Sequence, residues 1–173
     1  TKIGYFAMFY TKYDKIIIPD HVTEIGNAAF WYSRSEINIP SKIVRIGESA
    51  FSYCKFKGEL ILPEGLEEIG NSAFGSNELT SIVFPSTLKS LSYSVFANHP
   101  NYFTHNQVTR ITFKSWRLDD VSKRRFITFI LYNYRHTLFE EITIVLPEDE
   151  AEAEDLKVYL EEALEIAKSS KEP

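Results

Sequence analysis

Ile16-Ile17-Ile18-Pro19, followed by Ile25-Gly26-Asn27-Ala28-Ala29-Phe30, decides the fold, because both halves of it return in register along the chain. The second half comes back as Ile46-Gly47-Glu48-Ser49-Ala50-Phe51, as Ile69-Gly70-Asn71-Ser72-Ala73-Phe74 and, degraded, as Leu91-Ser92-Tyr93-Ser94-Val95-Phe96. The first half comes back as Ile37-Asn38-Ile39-Pro40, Leu60-Ile61-Leu62-Pro63 and Ile82-Val83-Phe84-Pro85. The prolines step by 21, 23 and 22 residues, and the phenylalanines step by the same intervals. Two markers in one register over four copies define a repeat of about 22 residues. A partial earlier copy opens the chain, with Ile3, Gly4, Ala7 and Met8 standing where Ile25, Gly26, Ala29 and Phe30 stand in the next. Such an opening is expected either from a cut out of a longer polypeptide or from an unusual first cap, and the cut is the expectation adopted.

The letters of one unit dictate its shape. Alternation predicts a short strand with Ile16 and Ile18 on the buried side. Proline then ends the strand, having no N–H to give a neighbouring ladder. The glycine of Ile-Gly is expected to allow a backbone turn that a Cβ would oppose. Ala-Phe fits a short return segment, alanine permitting close approach and phenylalanine filling the interior. One unit cannot bury its own apolar face and must stack on copies of itself, which makes the chain an α/β repeat solenoid.

After the fourth copy the pattern changes. Ile111-Thr112-Phe113 is a strand core, but Lys114 takes the place of proline, 29 residues after Pro85. The added residues, His99-Pro100-Asn101-Tyr102 through Asn106, read as a loop insertion at positions 97–108. From Leu118 to His136 an apolar stripe of Val121, Ile127, Ile130, Leu131 and Tyr134 predicts a helix, and Ile142 to Pro147 predicts a last strand. A final helix is expected over 149–169, with Leu156, Tyr159, Leu160, Ala163, Leu164 and Ala167 on one face. The division is therefore residues 1–113 as repeats, about five rungs with the first truncated, and 114–173 as a helix-strand-helix C-terminal cap. The alternative is that the last helix docks a partner or a second copy of the chain.

This pattern of strand, proline, Ile-Gly and Ala-Phe resembles the BspA-type leucine-rich repeats, over about residues 3–113. Ser92 and Val95 depart from it in the fourth unit, and the cysteine common after Ala-Phe occurs once, as Cys54. The resemblance implies a right-handed superhelix with a parallel sheet on the concave face. It also implies a bacterial or protist surface or secreted protein that binds other proteins, often as an adhesin. It brings no catalytic residues.

Composition limits what else the chain can do. Its 173 residues are 44% hydrophobic and 25% charged, which excludes a disordered tail, and no apolar run is long enough to span a bilayer. The net charge of −5 argues against generic nucleic-acid binding. Residues 138–173 carry 12 acids and 3 bases, whereas 1–137 carry 12 acids and 16 bases, so two regions of different chemistry are expected. The first residues show no secretory leader pattern. Four histidines are scattered; His99 and His105 share the inserted loop but lack further metal ligands. The acidic run from Glu148 to Asp155 falls around a helix rather than converging on an ion. Cys54 reads as a buried inert thiol, and Lys123-Arg124-Arg125 as a solvated helix face. No phosphate-loop, dinucleotide, zinc-protease or serine-hydrolase motif occurs. No enzyme activity, cofactor or metal is therefore expected.

A surface remains. With the strand residues named above turned inward, the outward set is Lys15, Ile17, Glu36, Asn38, Glu59, Ile61, Ser81, Val83, Arg110 and Thr112, with Val145 extending it. An apolar strip flanked by charges is the make-up of a protein-binding patch; strand propensity alone would also place Ile and Val there. The expected function is non-catalytic recognition of a host or extracellular protein. The competing reading is an intracellular scaffold within a larger chain.

Overall fold

In the computed structural model of the chain, residues 1–92, 94–97, 106–126 and 143–169 are described. Each repeat contributes two short strands, one before the proline and one before the glycine. The first kind comprises β2 (Lys15–Ile16), β4 (Glu36–Ile37), β6 (Lys57–Ile61), β8 (Glu78–Phe84), β10 (Arg110–Phe113) and β11 (Thr143–Val145). The second comprises β1 (Lys2–Ile3), β3 (Glu24–Ile25), β5 (Arg45–Ile46), β7 (Glu68–Ile69) and β9 (Ser90–Leu91). Among the described residues these pair in parallel as β1-β3-β5-β7-β9, as β11-β10-β8-β6 and as β2-β4. Apart from β10 and β11, neighbours in each sheet are non-consecutive, as a stack of coils requires, since each coil passes through the other strand before returning. Where one parallel sheet was expected, the Ile-Gly segments build a second.

Backbone bonds tie the rungs between strands as well. The Gly47 N–H donates to the Ile25 carbonyl at 2.9 Å, and the Phe51 N–H to the Ala73 carbonyl at 2.8 Å. Ala29, Ala50 and Ala73 are fully buried, and beside them Phe30, Phe51, Phe74 and Phe96 form a column through the core. Successive ring centroids lie 5.4, 5.5 and 6.3 Å apart.

The Ile-Gly glycine does not do what the sequence suggested. Gly26, Gly47 and Gly70 have no left-handed φ; the left-handed residues recur at two other places in each coil, as Ala28, Ser49 and Ser72 and as Tyr10, Tyr32, Tyr53 and Ser76. The glycine is needed because the previous rung comes too close. A Cβ on Gly70 would stand 2.6 Å from the Glu48 nitrogen and 2.8 Å from the Gly47 carbonyl carbon. Gly70→Ala should therefore cost about 3 kcal/mol, the upper end for overpacking, because backbone cannot step aside as a side chain can. Gly4→Ala, with nothing within 4 Å, should be close to neutral. Denaturant midpoints of the two variants check the contrast.

Three residues after Phe51 and Phe74, and ten after Phe96 because of the insertion, a polar column closes the turn. The Cys54 Sγ donates to the Phe30 carbonyl at 3.3 Å, the Asn77 amide to the Phe51 carbonyl at 2.9 Å, and the Asn106 amide to the Phe74 carbonyl at 2.8 Å. Asn106 and Val108 are buried and belong to the stack, so the inserted loop ends before them rather than at 108. Burial pushes the Cys54 thiol up to about 12, the Ser33 hydroxyl opposing it only in part. Ellman's reagent should leave Cys54 untouched in the folded protein and titrate it fully in denaturant. The fold keeps a proton that the unfolded thiol loses, so Cys54 lowers stability as pH rises from the ordinary 9.0 toward about 12. Cys54→Ala should flatten that part of the stability–pH curve.

The C-terminal segment meets the stack through both its helices. Helix α1, described over 120–126, starts at Asp119, whose Oδ1 accepts from the Ser122 N–H at 2.7 Å. The Ser122 hydroxyl in turn accepts from Leu91 N–H at 2.9 Å, and the Asp119 N–H donates to the Lys89 carbonyl at 2.9 Å. The free edge of β9 is thus paired by a helix start instead of another strand. Helix α2 (Glu150–Ser169) begins with Asp149 Oδ1 accepting from the Glu152 N–H at 3.0 Å. Leu156 and Ala163 are its buried positions and Tyr159 and Leu160 are half-buried, while the side chains of Leu164 and Ala167 lie outside those described. In α1, Val121 is exposed, and Ser122 and Phe126 are buried in its place. The other expected stripe residues, Ile127, Ile130, Leu131 and Tyr134, lie outside the described residues.

Candidate functional site

On the face built by the strands before proline, alternation sorts the side chains. Ile18, Leu60, Leu62, Ile82, Phe84, Ile111 and Phe113 enter the core, while Ile16 and Ile39 are half-buried. Outward stand Lys15, Ile17, Glu36, Glu59, Ile61 and Arg110, exposed, with Asn38, Ser81, Val83 and Thr112 half-buried. The ladders set them in rows. Ile61 pairs with Val83, Val83 with Thr112 and Thr112 with Val145. Beside that row run Glu59, Ser81, Arg110 and Thr143, the Ser81 hydroxyl donating to Glu59 Oε1 at 3.4 Å.

Two of these positions differ from the expectation of one continuous strip. Asn38 is committed to its neighbouring rung, accepting from the Ile18 N–H at 2.6 Å and donating to the Ile18 carbonyl at 2.9 Å. A half-buried amide with both ends occupied interrupts the apolar row between Ile17 and Ile61. Ile17, 63% exposed, therefore stands apart from the Ile61 row, where Ile61 itself is 62% exposed.

The side chains that carried other chemistry are spent internally or lie elsewhere. Burial pushes the Glu152 carboxyl up, but the Trp116 N–H at 2.7 Å and the Arg117 guanidinium hold it below the usual carboxylate range. Lys123 pairs with Asp155 at 2.6 Å and sits over the Tyr159 ring, so it is not part of a solvated basic face. Among the described residues no three His, Cys, Asp or Glu side chains come together as a metal site. His21 is exposed, while His99, His105 and His136 lie outside the described residues.

A second surface was missed from the sequence. Along β1-β3-β5-β7-β9 runs a groove of about 620 Å³. One wall carries charges that alternate by rung, Lys2 with Glu24 at 3.1 Å and Arg45 with Glu68 at 2.9 Å. A smaller hollow of about 290 Å³ adjoins it, lined by Tyr5, Phe6 and Trp31, and Tyr5, Asn27 and Glu48 line both. The signal was present: the residue before each Ile-Gly alternates in sign at the repeat period. It was hidden because those segments were read as turns rather than strands.

Among the described residues no helix is long and apolar enough to cross a membrane. No curated protein and no solved structure matches the chain. The family described as BspA type leucine rich repeat region matches residues 1–104 in six copies, more than half of the chain. The match spans β1 to β9, whose registered coils are the physical form of that repeat, and the chain belongs to the BspA-type leucine-rich repeat family.

Proposed function

We propose that the chain is a non-catalytic protein-recognition domain of a cell-surface or secreted adhesin-like protein, binding through the outward face of β6, β8, β10 and β11. Membership of the leucine-rich repeat family implies a protein-interaction module, and that family is in general non-catalytic. The observation that carries the choice of face is the row Ile61, Val83, Thr112 and Val145, in which a β-branched side chain stays 62% exposed beside apolar neighbours. Charged Glu59 and Arg110 flank it, giving an apolar centre with a polar rim. Lys15 and Glu36, paired across β2 and β4, and the exposed Ile17 make a separate part of the proposed surface. Residues 114–173 act in this reading as the cap on the repeats of 1–113. Its support is the pairing of β9 by α1 and the burial of Trp116, Phe126 and Leu156 against the last rungs.

A pull-down with the parent and with an Ile17→Glu, Ile61→Glu, Val83→Glu variant tests the proposal, after circular dichroism shows both folded. Host extracellular proteins should be captured by the parent, with at least about a tenfold loss in the variant, since each charge must be desolvated at the contact. Capture of source-cell proteins alone would favour the scaffold reading instead. Capture indifferent to the three substitutions would move the site off this face.

A further inference from the structure

The groove along the Ile-Gly strands and its aromatic end point to a second ligand of different chemistry. Its charges cancel in number: Lys2 pairs with Glu24 and Arg45 with Glu68, and the two charged residues left in its lining, Glu48 and Arg125, are of opposite sign. A groove that is polar yet neutral suits a ligand rich in hydrogen-bonding groups and poor in charge. At one end of the groove stand aromatic rings. Tyr5 is 68% exposed, and Phe6, Phe9 and Trp31 cluster beside it, the Phe9 and Trp31 centroids 5.3 Å apart. In the coils that follow, the place of Phe6 is taken by Ala28, Ser49 and Ser72 and that of Trp31 by Ser52 and Gly75, so the stack itself does not call for rings there.

Between rings and groove lie uncommitted polar groups. Asn27 Oδ1 accepts from the Glu48 N–H at 3.0 Å, which fixes the amide and leaves its N–H2 directed to no described acceptor. The Glu48 carboxylate is exposed and makes no described ion pair. Planar side chains follow each other one per rung after the glycines, as Tyr5, Asn27, Glu48 and Asn71. Rungs of parallel strands repeat at about 4.8 Å, close to the length of one sugar in an extended glycan. A pyranose offers an apolar C–H face to a ring and hydroxyls to amides and carboxylates. We propose that this groove binds a linear, uncharged saccharide, one sugar ring against Trp31 and Tyr5 and the chain continuing past Asn27, Glu48 and Asn71. This site is independent of the protein-binding face.

The experiment is calorimetric and fluorimetric titration of the chain with linear hexasaccharides of β-1,4-linked glucose, mannose, xylose and N-acetylglucosamine, at low and high salt. At least one should bind saturably and shift the Trp31 emission, with affinity unchanged by salt because no charges are paired. Tyr5→Ala, Trp31→Leu and Asn27→Asp should each weaken it by about tenfold. Asn27→Asp keeps the acceptor for the Glu48 N–H while removing the free donor. The Ile17→Glu, Ile61→Glu, Val83→Glu variant should bind the sugar as the parent does, which separates failure of this site from failure of the protein-binding face. Absence of binding to all four sugars overturns the proposal. So does binding that all three groove variants leave intact, or binding confined to an anionic hexamer such as oligogalacturonate and lost at high salt.

Discussion

Phe74→Ala is expected to cost about 3–5 kcal/mol of unfolding free energy. Phe74 is fully buried, stacked on Phe51 at 5.5 Å and on Phe96 at 6.3 Å, and meets the edge of Phe56 at 5.6 Å. Truncation removes contacts to rungs on both sides, and the strand backbones that frame the column are tied by registered hydrogen bonds and cannot collapse into the void. In a solenoid, stability is close to a sum over neighbouring interfaces, so a residue that serves two interfaces is worth more than one at an end. Met8 fills the same place in the first coil but is only half-buried, and Met8→Ala should cost clearly less. Urea denaturation of both variants measures the difference. A loss below about 1 kcal/mol at Phe74 would contradict a stacked aromatic core. Phe51→Ala combined with Phe74→Ala should fall short of the sum, because the two truncations share one cavity.

Trp116→Ala should be of the same size, about 3–5 kcal/mol, for a different reason. The indole is 1% exposed and joins three elements, meeting Phe113 of β10 at 4.9 Å, Phe126 of α1 at 5.5 Å and Tyr159 of α2 at 6.2 Å. Its loss should release α2 before the repeats unfold, visible as faster amide exchange along 150–163 while the β3–β7 amides stay protected. Trp116→Phe should cost much less. Its Nε1 is buried with no acceptor among the described residues, so phenylalanine keeps an aromatic packing partner and removes an unsatisfied donor. A Phe variant as unstable as the Ala variant would show that the indole N–H is held after all.

The repeat was legible because its markers are local and physical. Proline ends a strand wherever it occurs, and a 22-residue step shared by proline and phenylalanine can be counted without knowing any contact. The final helix was legible within a residue of its observed start, because its apolar face and its acidic opening are both written in short-range spacing. The glycine was misread because its neighbour is in another rung. Nothing near Gly70 in sequence reveals that Glu48 nitrogen lies where its Cβ would be. Val121 failed for a similar reason: helical periodicity gives a face, but the hydrogen bond from Leu91 turned that helix so that Ser122 points inward.

The candidate surfaces divide in the same way. The outward row of Ile61, Val83 and Thr112 follows from alternation along each strand, and alternation is a property of the chain alone. Asn38 belongs to the same alternating set, yet its amide is spent on Ile18, a choice made between coils. The groove depends wholly on assembly. Its wall is Lys2, Glu24, Arg45 and Glu68, one from each of four successive coils and adjacent only once parallel pairing sets them side by side. Sequence by itself determined the repeat, the strand before each proline, the buried aromatic column and the family. The tertiary structure decided which glycines are indispensable, which polar groups are consumed between rungs and where a second sheet leaves a groove, because each of those depends on distances between residues some 22 positions apart, which composition and periodicity do not fix.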